Sequence, residues 1–165
     1  MALRTRIKVC GISGKEDARA AVAAGADGLG FIFVKQSPRA VDPDMVRAIT
    51  AELPPFVDSI GVFCDEELEV VEEIINYCQL TMVQLHGAES PEYCKKISCP
   101  VIKSFSIRTE SQSEELAVYS GVVNGFLLDT YHADMAGGTG MVFDWNLVEQ
   151  IQPPGPIILA GGLNP

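Results

Sequence analysis

Apolar positions along this chain switch between two periods, and the switching sets out its organisation. Arg6 to Ile12 alternates, placing Ile7 and Val9 on one face of a strand and Arg6, Lys8 and Cys10 on the other. Lys15 to Gly25 changes to helical spacing, with Ala18, Ala21, Val22 and the stop residue Gly25 at i, i+3, i+4 and i+7. Ala26 to Val34 reads as a second strand, followed by a loop over Lys35 to Ala40 that carries Ser37-Pro38-Arg39. Asp42 is an N-cap with Pro43 at the first helical position; Val46, Ile49 and Leu53 form the buried stripe, and Pro54-Pro55 ends the helix.

The same alternation continues. Asp58 to Cys64 is a strand and Glu66 to Cys78 a helix; Thr81 to Gly87 is a strand with His86 at its end. Ser90-Pro91 opens a short helix through Ile97, Pro100 to Ile107 is a strand, and Glu114 to Ser120 is a weak helix. Val122 to Thr130 is a sixth strand finishing on Asp129. A glycine-rich loop over Tyr131 to Gly140, a helix over Phe143 to Ile151 and a seventh strand over Pro156 to Ala160 lead into Gly161-Gly162.

Seven strands alternating with six helices on short connections predict an α/β chain with a parallel sheet. Either an open doubly wound sheet or a closed eightfold barrel fits. No strand is followed by G-x-G-x-x-G or G-x-x-x-x-G-K-[ST], which counts against a nucleotide-binding open sheet. Cys10, His86 and Asp129 fall at the ends of the first, fourth and sixth strands, and gathering side chains from many strand ends onto one face is what a barrel does. The expectation is a single (βα)8-type parallel barrel domain over residues 1–165. Such domains usually exceed about 200 residues, so the barrel is expected to be truncated after strand seven, lacking its last βα unit and leaving strands one and seven as open edges.

Composition narrows the function. With 165 residues, 47% of them hydrophobic, the chain can build one sizeable core. A formal net charge of −10 argues against a nucleic-acid partner, so an anionic ligand must be held by local positive groups. Five cysteines, odd in number and without C-x-x-C spacing, point to reduced thiols rather than disulfides or zinc, and no residue spacing resembles a metal site. No signal peptide opens the chain and no apolar run is long enough to span a bilayer; a cytoplasmic protein without membrane contact is expected.

The candidate chemistry lies at strand ends. Lys8 sits two residues before Cys10 on the same face, and its charge favours the thiolate, so Cys10 is a candidate base or nucleophile; the alternative is a small buried thiol. Asp129 follows Phe126-Leu127-Leu128, and apolar enclosure would raise its pKa and make it a proton donor; otherwise it caps the strand. Arg39 offers a bidentate fork for a carboxylate, or is a solvated loop residue. His86 positions or shuttles protons, or is structural. Gly137-Gly138-Thr139-Gly140 reads as a lid, an anion cradle or an ordinary loop, and Gly161-Gly162 as half of a phosphate site or a tight turn. Cys64, Cys78, Cys94 and Cys99 read as structural.

Seven motifs, in order, resemble phosphoribosylanthranilate isomerase of tryptophan biosynthesis. They are Lys8-Val9-Cys10-Gly11-Ile12; Gly30-Phe31-Ile32-Phe33 with Ser37-Pro38-Arg39; Gly61-Val62-Phe63; Gln84-Leu85-His86-Gly87; Leu127-Leu128-Asp129; Gly137-Gly138-Thr139-Gly140 with Phe143-Asp144-Trp145; and Leu159 to Pro165. The resemblance implies a cofactor-free Amadori rearrangement of N-(5-phosphoribosyl)anthranilate to 1-(2-carboxyphenylamino)-1-deoxyribulose 5-phosphate. It implies Asp129 as the general acid that opens the ribose ring, Cys10 as the base that removes the C2 proton and Arg39 as the carboxylate holder. Lys8 and His86 would support binding, and Gly161 and Gly162 would serve the phosphate. The partners it implies are a phosphorylated small molecule and, beyond that, a second copy of the chain or a fused pathway enzyme. Two other readings compete: another phosphosugar enzyme on the same scaffold, against which a cysteine base argues, and an inactive or weakly ligand-binding barrel fragment.

Overall fold

The computed structural model describes residues 4–107, 113–130, 151 and 153–161. Its elements are β1 (Lys8–Cys10), α1 (Lys15–Ala23), β2 (Gly28–Ile32), α2 (Pro43–Thr50), β3 (Asp58–Phe63), α3 (Leu68–Cys78), β4 (Met82–Leu85), α4 (Pro91–Cys94), β5 (Val101–Ile107), α5 (Ser113–Ala117), β6 (Gly125–Thr130) and β7 (Ile157–Leu159). The seven strands form one sheet in the order β1-β2-β3-β4-β5-β6-β7, every neighbouring pair parallel. A doubly wound sheet reverses its strand order at a switch point; this one never does, which settles the architecture as barrel-type.

The helix boundaries follow the local chemistry. The Asp42 side chain accepts from the Asp44 N–H at 2.8 Å, and Pro43 supplies a first helical residue with no N–H to satisfy, so α2 starts where the sequence predicts. Ser90 Oγ accepts from Tyr93 N–H at 3.2 Å and does the same for α4. The strands are shorter than the apolar runs. β1 ends at Cys10 because Gly11 turns to φ +85°, after which both Gly11 and Ile12 donate to the same carbonyl, Gly30 O.

Strand alternation gives the sheet two faces. Leu29, Phe31, Phe63, Val83, Leu85, Phe105, Phe126 and Leu128 point outward, where they bury against Val46, Val71 and Ile75 of the helices. Ile32, Ile60, Val62, Ile102 and Leu127 lie on the other face and fill its interior. The sheet is strongly curled. Lys8 on β1 and Gln84 on β4 are three strand spacings apart, about 14 Å across a flat sheet, yet Lys8 Nζ lies 2.6 Å from Gln84 Oε1. Only a sheet rolled toward that face lets the two side chains meet.

At the outer strands the apolar outward positions are open: Ile7 and Val9 beside β2, and Ile157 and Leu159 beside β6, are 37–52% exposed. Among the described residues, no helix is long and apolar enough to cross a membrane and no three His, Cys, Asp or Glu cluster as a metal site.

Candidate active site

The carboxyl ends of β1, β4 and β6 bring Cys10, His86 and Asp129 to one rim of the concave face. Cys10 shares that face with Lys8, because a side chain added at Gly30 would meet Cys10 Sγ at 2.8 Å and Lys8 Cε at 3.2 Å. Gly30 is thus the floor on which thiol and ammonium stem rest, and the thiol is exposed above it. This differs from the alternative reading of a small buried thiol. Asp129 is in register with Ser106 and half-buried. Of the apolar residues preceding it, Phe126 and Leu128 point to the helix layer, so only Leu127 shares its face. The apolar enclosure predicted from sequence proximity is therefore not built by those side chains.

Arg39 is carried to the same rim by a returning loop. Ser37 Oγ accepts from Arg39 N–H, Val41 N–H bonds to Ile32 O, and Ala40 bridges back to Ile32. The Arg39 guanidinium then lies over Gly11, where an added Cβ would sit 2.7 Å from Nη1, and Nη1 donates to Cys10 O at 3.4 Å. Gly11 is required twice, for its positive φ and for the guanidinium packed on it.

Across the rim a hydrogen-bonded chain runs from β1 to β4: Lys8 Nζ donates to Gln84 Oε1, and Gln84 Nε2 lies 3.1 Å from His86 Nδ1. Crowding by protein pushes the His86 pKa below its ordinary value, helped by the Lys103 and Lys8 charges and opposed by Asp129 and Glu89. The influence of Asp129 on His86 links β6 electrostatically to the same site.

Beneath His86 lies a buried ion pair that the sequence reading missed. Lys103 and Glu89, 2% and 5% exposed, are 3.2 Å apart. Glu89 accepts from the Asp65 and Gly87 N–H groups at 2.9 and 3.0 Å, while Lys103 donates to Gly87 O at 2.7 Å and Leu85 O at 3.3 Å. Asp65 in turn accepts from Ala88 N–H at 2.6 Å. The loops after β3 and β4 are therefore clamped together, with His86 bracketed by the two residues whose carbonyls Lys103 holds.

The remaining predicted residues divide. Gly161 follows β7 with φ +77°, where Ala160 N–H bonds to Leu128 O. Gly162, the glycine cluster at 137–140 and the predicted helix over 143–150 lie outside the described residues. Cys78 and Cys94 are buried in the core as expected, and burial pushes the Cys78 thiol up to about 11. Cys64, read as structural, is instead exposed at the end of β3. A separate groove between α1 and α2, lined by Val22, Ile49 and Leu53, lies on the helix layer away from the strand ends and is edged by the Lys15–Glu52 and Arg19–Glu52 ion pairs.

Comparison with known proteins identifies the family. The family model for N-(5'-phosphoribosyl)anthranilate (PRA) isomerase matches residues 7–165. The N-(5'-phosphoribosyl)anthranilate isomerase of Microcystis aeruginosa is 46% identical over 165 residues, covering 97% of this chain and 78% of that protein. That of Desulforudis audaxviator is 47% identical over 166 residues, covering 98% and 78%. The crystal structure of the Thermotoga maritima isomerase superposes with a TM-score of 0.89 at 40% identity, covering 98% of this chain and 78% of the other. Another solved isomerase holds reduced 1-(o-carboxyphenylamino)-1-deoxyribulose 5-phosphate (TM-score 0.85, 39% identity, 98% and 77% coverage). This chain belongs to the phosphoribosylanthranilate isomerase family, the aldose–ketose isomerases of tryptophan biosynthesis.

Proposed function

We propose that this chain isomerises N-(5'-phosphoribosyl)anthranilate to 1-(2-carboxyphenylamino)-1-deoxyribulose 5-phosphate with Asp129 as general acid and Cys10 as general base. Asp129 gives its proton to the ribose ring oxygen; the C1–O bond breaks and the nitrogen lone pair forms the C1=N bond of a Schiff base. The Cys10 thiolate then takes the proton from C2, and the electron pair moves to nitrogen to give an enolamine. The 2-hydroxyl then gives up its proton as its oxygen forms the C2=O bond, and C1 takes up a proton to complete the aminoketose, so no atom is gained or lost and no cofactor is consumed. Arg39 holds the anthranilate carboxylate, Lys8 keeps a positive charge beside the thiol, and backbone N–H groups around Gly161 and Gly162 serve the phosphate.

The observation that carries this reading is the sharing of one rim by a thiol on β1 and a carboxyl group on β6, with a hydrogen-bonded chain from Lys8 to His86 between them. Proton transfer by placed groups of this kind contributes roughly a hundredfold to ten-thousandfold each. The test is the loss of substrate fluorescence on turnover. Cys10→Ala and Asp129→Asn should each lower kcat by about a hundredfold or more while leaving the circular dichroism spectrum unchanged. Undiminished turnover in either variant removes that residue from the mechanism.

A cytoplasmic setting goes with this reading, supported by five free cysteines. Association of two copies is supported by the dimeric isomerase of Thermotoga maritima; sedimentation velocity over a range of concentrations tests it.

A further inference from the structure

We infer that Gln84 is a positioning residue: fixed by the Lys8 ammonium, its carboxamide holds His86 as the neutral imidazole carrying its proton on Nε2, so that His86 meets the ligand as a hydrogen-bond donor and not as a base.

The argument runs along three side chains. An ammonium has three donors and no acceptor, so whichever end of the Gln84 amide faces Lys8 Nζ at 2.6 Å must be the oxygen. The opposite orientation would press an NH2 group against an NH3+ group on a residue only 3% exposed, with no room for water to relieve it. With the oxygen committed to Lys8, the amide can offer only N–H to the ring. His86 Nδ1, 3.1 Å away, is therefore an acceptor and carries no proton. The ring's single proton sits on Nε2. Adding a second proton at Nδ1 would turn an accepting contact into two facing donors and break the bond.

Charges on every element packed around the ring act on the same equilibrium: Lys8 on β1 and Lys103 on β5 disfavour the cation, Asp129 on β6 and Glu89 on the loop after β4 favour it. These oppose one another in pairs, whereas the Gln84 contact acts in one direction. The substrate of the proposed isomerisation is rich in anionic and ether oxygens, to which an Nε2–H can donate. A base competing with Cys10 for the C2 proton is removed. The ligand half of this inference rests on the isomerase reading; the tautomer rests on the geometry alone.

The test uses the full chain with 15N-labelled histidine and a His132→Gln background, which leaves one imidazole signal. Two-bond 1H–15N spectra should show Nδ1 unprotonated and Nε2 protonated at neutral pH, with the ring taking up its second proton only below the ordinary imidazole midpoint. Gln84→Glu puts an acceptor against Nδ1: the proton should move to Nδ1, the titration midpoint should rise by about one unit or more, and KM should rise roughly tenfold with kcat less affected. Lys8→Met frees the amide to turn over, and both tautomers should then be seen. A wild-type ring protonated on Nδ1, or nitrogen shifts that neither substitution moves, overturns the assignment whatever the turnover. The wild-type spectrum and Lys8→Met decide the matter if Gln84→Glu does not fold. The expected spectra on a chain that turns over no substrate would count against the isomerase reading alone.

Discussion

The two sides of the rim are held by opposite means. On the β1–β2 side, Cys10 and Arg39 are exposed and are positioned by space: Gly30 leaves room for the thiol, and Gly11 leaves room for the guanidinium. On the β4–β5 side, His86 is positioned by charge: the buried Lys103–Glu89 pair fixes the peptide groups on both sides of it. The thiol proposed as base and the guanidinium proposed to grip a carboxylate thus depend on space left by glycines for their placement. The group inferred to keep one protonation state sits on backbone held on both sides by hydrogen bonds to the ion pair. A buried ion pair costs desolvation, so its use here favours fixing a geometry over adding stability.

The largest effect should come from breaking that pair. Lys103→Met leaves the Glu89 carboxylate buried without its counter-charge, and such a change costs about 3–5 kcal/mol. Urea denaturation of the variant should show a loss in that range. Adding Glu89→Gln removes the orphaned charge while keeping an acceptor for Gly87 and Asp65 N–H, so roughly half of the lost stability should return. A double variant no more stable than Lys103→Met would mean that the hydrogen bonds from Lys103 to the Leu85 and Gly87 carbonyls matter more than the pairing.

How much of this was legible in the sequence follows the range of the interactions. Periodicity reports local burial, so every strand and helix over the described residues was found, and the caps at Asp42 and Ser90 were read correctly because a cap is made within a few residues. Cys10, His86 and Asp129 were legible as strand-end residues for the same reason. Gln84 lies two residues before His86 on one strand face, and a lone amide in an apolar strand was the available signal. Lys103 in Val-Ile-Lys-Ser-Phe was a comparable signal, but its partner Glu89 belongs to a loop fourteen residues earlier, and no spacing rule joins them. The environment of Asp129 was misread because sequence neighbours on a strand face opposite ways.

An intermediate effect should separate space-holding glycines by face. Gly30→Ala puts a Cβ 2.8 Å from Cys10 Sγ and 3.2 Å from Cys10 Cα, and the latter is backbone that cannot turn aside. A displaced thiol should lower kcat by roughly tenfold to a hundredfold, with overpacking costing about 1–3 kcal/mol. Gly61→Ala is the control: its Cβ would meet Leu80 Cδ1 at 2.6 Å and Phe63 Cε2 at 2.7 Å on the helix side. It should cost similar stability and leave kcat within about twofold. Equal loss of kcat in both variants would make the Gly30 effect one of general packing and not of thiol placement.

The smallest effect is the pH dependence carried by His86. Its folded pKa lies below the ordinary imidazole value of about 6.5. As pH falls through that value the unfolded chain takes up the proton first, so unfolding gains ground, and the loss stops once the folded ring also titrates. Stability should therefore be flat above about pH 7 and decline gently below about 6.5. The carboxylates held low, Asp17, Asp27 and Glu52, act only at lower pH, near and below their ordinary values of about 4. In a His132→Gln background, urea midpoints between about pH 8 and 5 should slope for the parent and flatten for His86→Gln. Gln84→Glu raises the folded value and should reverse the slope, making the protein more stable as pH falls through the same window. An unchanged slope would show that the amide contact does not bear on this equilibrium and leave crowding by protein as the ground of the depressed pKa.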